Sequence, residues 1–290
     1  MRDADVPAFW QGLGLPGLVD VHTHFMPDRL MAAVWRYFDG AAERYGKTWP
    51  IHYRVPVAER VAVLRALGVR TFTALAYPHK PDMAEGLCAW LREFAAATPG
   101  CVPCGTFYPE PSAAGYVRTA IEAGTALFKA HLQVGAYDPR DELLTPVWGQ
   151  LAEAGIPVVV HCGSGPTPGA FTGPGPFGEV LARHPRLTAV IAHAGAPEYE
   201  AHFRLARTFQ NVHIDTTMVG TPFMADFAPL RPDVIKQLGD LQDKVVLGTD
   251  FPNIPYPYAT QLDALQRFEL GADWLRDVCW YNGKRLLART

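Results

Sequence analysis

Short apolar runs recur along the chain, each followed by Gly or Pro punctuation and then an amphipathic stretch. The runs are LVDVHTH (18–24), VRTFTALAYP (69–78), VPCGTFYP (102–109), TALFKAHLQ (125–133), IPVVVHC (156–162), LTAVIAHAG (187–195), NVHIDTT (211–217) and KVVLGTDFP (244–252). Short apolar segments bounded by turn formers read as strands. Between them the pattern predicts helices over 57–68, 82–97, 141–155 and 197–209, and a last one over 271–287. Eight strands alternating with helices in 290 residues predict an α/β fold, a (β/α)8 TIM barrel, as one domain over 1–290. The competing architecture, a doubly wound open sheet, needs a glycine-rich phosphate loop after an early strand. The first run here ends in histidines instead.

Two connections stand out. Residues 25–56 follow the first run and carry Trp35, Tyr37, Phe38, Tyr45, Trp49 and Tyr53. Structureless loops of that length are uncommon and often functional, so 25–56 is expected to be a lid insertion. GSGPTPGAFTGPGPFG (163–178) is a second candidate lid. Both would lie over the C-terminal mouth of the barrel. Surface loops held by aromatic packing are the alternative.

The polar residues inside the apolar runs carry the chemistry. A strand alternates its faces with period two, so Asp20, His22 and His24 of DVHTH share one face. Buried without partners, such groups cost roughly 1–3 kcal/mol each. Active sites of barrels sit at the C-terminal ends of the strands. There the first run places His22 and His24, the fifth His161, the sixth His193 and the eighth Asp250. Imidazoles with one carboxylate suit Zn²⁺ and related divalent ions. Three histidines and one aspartate leave a position for water, whose pKa such an ion lowers to about 7. Asp20 is expected to orient a histidine or help close the site.

Lys129, His131 and Gln133 share the polar face of the fourth run, which points into the barrel. Lys129, His131 and His79, just after the second run, are candidate substrate-binding residues. A hydrogen-bonded core role for His131 and a loop position for His79 are the alternatives. Tyr108 and Glu110 follow the third run, with Glu110 expected in a solvated loop. Asp215 ends the seventh run and either helps a metal ligand or caps the next helix. His52, His184, His202 and His213 read as structural or surface residues.

Composition narrows the partners. A net charge of −3 and the lack of any Lys/Arg run argue against nucleic acid. MRDADVPAFW has no apolar signal core, and no run is long enough to span a bilayer. A cytoplasmic protein with a small-molecule substrate and no membrane contact is therefore expected. Five cysteines, an odd count in a large chain, argue against a disulfide framework. Cys101 and Cys104 match C-x-x-C without a second pair and read as ordinary buried thiols.

Taken together, VDVHTHFMP, VHCG, IAHAG and GTDFP resemble the amidohydrolase superfamily, and most of all its amidohydrolase-related branch. That branch includes aminocarboxymuconate-semialdehyde decarboxylase, related non-oxidative decarboxylases and lactone hydrolases. The resemblance runs from the first strand to the eighth. It implies one divalent metal, commonly zinc, on His22, His24, His161 and Asp250. It places His193 beside the metal as an acid/base or transition-state group, with Asp250 as the proton acceptor. In binuclear relatives the strand-six histidine binds a second metal, and a carboxylated strand-four lysine bridges the two. Lys129 thus has three open roles: that bridge, a cation for a substrate carboxylate, or a partner for a barrel carboxylate.

The activity implied is metal-dependent hydrolysis, through metal-activated water, of a small cyclic or carboxylated lactone, amide or ester. The alternative is non-oxidative decarboxylation of an aromatic or muconate-type acid on the same site. A barrel that had lost activity and only bound ligands would lack a metal ligand, and none is missing. Many relatives pair, so the resemblance admits a homodimer.

Overall fold

The computed structural model describes residues 1–288. Among these residues eight parallel strands form in the predicted order. They are β1 (Leu18–Asp20), β2 (Val69–Phe72), β3 (Cys104–Thr106), β4 (Leu127–His131), β5 (Val158–His161), β6 (Ala189–Ile191), β7 (Val212–Asp215) and β8 (Val245–Val246). Regular ladders join β1 to β2, and β3 to β8 in sequence order. Backbone bonds cross both seams. Val102 N donates to Phe72 O (2.8 Å) between β2 and β3. Val21 N donates to Leu247 O and Asp250 N to His22 O (both 2.9 Å) between β1 and β8. The strands follow one another around a barrel, with helices on the outside. This layering explains the apolar runs: a parallel strand is covered on both faces, and Val158, Val159 and Val160 are all fully buried.

Helices occupy Val57–Leu67, Ala84–Ala97, Thr145–Ala154 and Tyr199–Thr208, close to the predicted spans. The segment 271–287 is helical, with a π-helical turn at Asp277–Tyr281 between Ala272–Arg276 and Asn282–Leu287. It closes the barrel floor: Val278 O accepts from Leu247 N (3.0 Å), and Asn282 Nδ2 donates to Val245 O (2.6 Å). Among the described residues no helix is long and apolar enough to cross a membrane.

The 25–56 insertion has its own structure, a helix over Asp28–Asp39 and a short one over Ala41–Tyr45. Two indoles tie it to the loop after β8. Trp35 Nε1 donates to Asn253 Oδ1 (3.1 Å), and Trp49 Nε1 to Asn253 O (2.7 Å). Trp49 also packs on Phe38 and Phe223, with ring centroids 4.9 and 4.7 Å away. Within 163–178 the irregular part ends early, because Pro174 starts a helix over Pro174–Arg183. Proline suits that first turn, where its missing N–H has no intrahelical partner to lose.

Glu110 departs from the solvated loop expected for it. It is buried, and its Oε2 accepts from Asp82 N (2.7 Å). Cys104 is buried, Cys101 half-buried, and neither is in a disulfide. Burial pushes the Cys104 thiol up to about 12, as suits an inert packing group.

Gly248 makes room for the site. A Cβ there would collide with Thr217 Oγ1 and lie 2.8 Å from His22 Cβ. Gly248→Ala should therefore destabilise the fold by about 1–3 kcal/mol, read as a lower Tm.

Candidate metal centre

β1 ends at Asp20, so His22 and His24 lie on the chain just past it. Asp20 fastens that turn from below. Its Oδ1 accepts from His22 N (3.1 Å), and its Oδ2 from Thr249 Oγ1 (2.6 Å) and Tyr258 OH (3.0 Å). Burial pushes the Asp20 carboxyl up to about 7, against the pull of those donors. Asp20 thus acts on the His22 backbone and ties β1 to the β8 side.

The rings of His22 and His24 are each fixed from behind. His22 Nδ1 donates to Asp215 Oδ2 (2.7 Å), and His24 Nδ1 to Leu75 O (2.8 Å). Burial and the nearby Lys129 charge push His22 well below its ordinary pKa, so its ring is neutral and Nε2 keeps its lone pair. Both Nε2 atoms face Asp250 Oδ1, at 3.4 Å from His22 and 2.8 Å from His24. Burial opposes the charge on Asp250, yet the His24 hydrogen bond and the surrounding imidazoles hold its carboxyl well below the usual range.

The three ligand atoms lie within 4.8 Å of one another. The Nε2 lone pair of the neutral His22 ring, aimed at the Asp250 carboxylate, is repelled unless a cation lies between them. Two imidazoles backed by acceptors, with one carboxylate, make the donor set that a divalent ion requires. The residues present fit a metal.

His161, at the end of β5, borders this cluster. Its ring stacks on His131 (4.1 Å between centroids) and meets His193 edge-on (4.8 Å). Its Nε2 donates to Gly165 O (3.2 Å) in the proline-rich loop. The compact cluster among the described residues is therefore His22, His24 and Asp250, with His161 beside it.

His193 follows β6 in a left-handed turn, φ 54° at His193 and 53° at Ala194. Asp250 (φ 68°) and Met218 (φ 63°) are left-handed as well. Such positions cost roughly 1–3 kcal/mol each for non-glycine residues, and they concentrate at functional sites. Strand alternation carries these residues to the mouth, and the left-handed turns aim them. The His193 ring lies 5.2 Å from that of His22.

Asp215 resolves in favour of the metal side. Besides His22 Nδ1, its other oxygen accepts from His193 N (2.8 Å) and Thr217 N (3.0 Å). One buried carboxylate thus orients a ligand and holds the His193 turn. Asp215→Asn should weaken metal affinity about 10–100-fold, measured by competition with a chelator.

Lys129 is fully buried, with Nζ 3.3 Å from His22 Nε2. Burial pushes it down to about 8, against the attraction of Asp215 and Asp250. Beyond His131 the chain turns into a helical segment, Leu132–Gly135, so Gln133 leaves the strand face; its amide bonds Thr167 instead. His131 Nδ1 accepts from Val134 N (3.3 Å), which leaves the proton on Nε2. His79 is exposed at the rim.

All three candidates line one cavity of about 570 Å³, together with the four histidines and Asp250. Tyr77 was not singled out in the sequence. Its ring meets His24 (5.7 Å) and His131 (4.6 Å). Its place at the end of the second run was the available signal. Met218 and Met224 also line the cavity, and nothing in their local sequence marks them.

Comparison with known proteins places the chain. A family model described as Amidohydrolase matches residues 19–289. An uncharacterised TIM-barrel protein, Bb4693 from Bordetella bronchiseptica, is similar in structure, with a TM-score of 0.77 at 17% identity over 94% of this chain and 99% of that one. So is 5-carboxyvanillate decarboxylase from Novosphingobium aromaticivorans, a complex with manganese and 4-hydroxy-3-methoxy-5-nitrobenzoic acid (TM-score 0.67, 16% identity, 95% and 97% covered). A third is a probable 2-pyrone-4,6-dicarboxylic acid hydrolase from Acinetobacter baumannii with citric acid bound (0.63, 13%, 94% and 99%). Comparison with curated protein sequences gives no match. At these identities the solved structures speak for the fold, a TIM barrel, and the family model speaks for descent: the chain belongs to the amidohydrolase family.

Proposed function

We propose that this protein hydrolyses a lactone, ester or amide of a small cyclic substrate, using one Zn²⁺ held by His22, His24, His161 and Asp250. The observation that carries this reading is the convergence of two acceptor-backed imidazoles on one oxygen of Asp250. When bound, a divalent ion would polarise the carbonyl and make water acidic enough to attack near neutral pH.

The chain's own groups supply the rest. Asp250, ionised among imidazoles, accepts the proton of the attacking water. His193, held at the mouth by its left-handed turn and Asp215, stabilises the oxygen that gains charge. The proton on Asp250 then passes to the leaving oxygen or nitrogen, and both new ends are neutralised. Phe38, Tyr45 and Trp49 of the aromatic insertion line the cavity beside these groups.

Turnover in isotopically labelled water tests this reading. A panel of lactones, esters, amides and aromatic acids is offered to the zinc-loaded protein. Hydrolysis puts one labelled oxygen in the acid product. Release of carbon dioxide from an aromatic acid, with no label in the product, would overturn the proposal in favour of decarboxylation.

A further inference from the structure

The cavity is lined by the histidine and aspartate cluster and by an apolar wall that comes in good part from the insertion, with Leu30, Val34, Phe38 and Trp49, and includes Met218 and Met224. Among the described residues no arginine lines the cavity, and the one lysine that does, Lys129, is fully buried against His22. None of the insertion's cations, Arg29, Arg36, Arg44, Lys47 and Arg54, lines the cavity, and three are engaged elsewhere, Arg54 with Asp39 (2.6 Å). Arg44 donates to Tyr37 O (2.6 Å) and lies over the Tyr37 ring (4.3 Å). Lys47 pairs with Asp226 and donates to Phe223 O (3.1 Å).

Three other lining groups, His131, Tyr77 and Asn253, offer donors without a fixed charge. His131 keeps a proton on Nε2, because Nδ1 accepts from Val134 N. The Tyr77 phenol lines the cavity, its ring 4.6 Å from that of His131. Asn253 spends Oδ1 on Trp35 and retains its amide protons. Neutral donors satisfy carbonyl, ether or hydroxyl oxygens. A carboxylate brought to the apolar wall would lose its hydration with no cation to repay it.

Building on the hydrolase reading, we infer that the substrate is uncharged: an aromatic or alicyclic ester or lactone, its ring against the insertion wall and its oxygens on His131, Tyr77 and Asn253. The wall selects against substrates that carry a carboxylate remote from the reacting bond.

Two matched probes test this at neutral pH: coumarin, and coumarin bearing a carboxylate on its benzo ring. Binding to zinc-loaded and to metal-stripped protein is measured by calorimetry. Coumarin should bind at least about tenfold more tightly in both forms, because the discrimination comes from the wall. Val34→Arg should bring the two affinities within about threefold by giving the anion a partner. Equal or tighter binding of the carboxylate by the unaltered protein overturns the inference. So does failure to bind either probe, or an unchanged ratio in Val34→Arg. Dihydrocoumarin separates this from the reaction. If zinc-loaded protein binds coumarin in preference to the anion yet leaves dihydrocoumarin intact, hydrolysis fails while the selectivity of the wall stands.

Discussion

His22→Ala protein, purified beside the unaltered chain, should carry almost no metal and show no turnover. Even loss of a group that merely orients a ligand costs about 10–100-fold in affinity, so loss of a ligand should cost at least ~100-fold. His22 is the sharpest choice because its ring contacts three groups at once. Its Nδ1 is on Asp215, and its Nε2 lies near both Lys129 and Asp250. Removing the ring leaves Lys129 free to approach Asp215, whose charges already attract. The fold should therefore survive, and thermal unfolding should confirm it. Elemental analysis of the folded variant then isolates the ligand role. A folded His22→Ala chain with full metal and full turnover would defeat the centre described here.

The legible part of this protein is the part that periodicity controls. A parallel barrel buries both faces of its strands, so the runs announce themselves, as IPVVVHC does for β5. The strand ends follow, and with them His22, His24, His161, His193 and Asp250. Turns and tertiary partners are less visible. Nothing in IAHAG or GTDFP shows that His193 and Asp250 adopt left-handed backbones, because the surrounding structure imposes them. Asp215 looked like either a cap or a helper. The choice depends on His22 and His193, which are far from it in sequence. His161 reads as a ligand from its place on β5, and only the proline-rich loop reveals that its Nε2 has Gly165 O as a partner.

The insertion was open to a finer reading. DRLMAAVWRYFD places Leu30, Met31, Val34, Trp35 and Phe38 at helical spacing, with Pro27 before the helix and Gly40 after it. Those are ordinary start and stop signals.

The other large effect concerns His193, and it separates a one-metal from a two-metal centre. His193→Asn should leave metal content at the level of the unaltered protein and lower kcat by about 10²–10³, the usual loss when one stabilising or proton-transferring group goes. Asparagine is the right replacement because it tolerates a left-handed backbone better than most residues. The turn at φ 54° then persists, and the main-chain bond from residue 193 to Asp215 Oδ1 with it. Any change in metal content is therefore due to the lost imidazole. His22, His24 and Asp250 converge without it, since their ligand atoms already lie within 4.8 Å of one another. Metal retained with kcat reduced makes His193 a group that acts on substrate. Metal lost in step with activity makes it a ligand. Lys129, buried between His22 and the two aspartates, would then be placed to bridge a pair of ions.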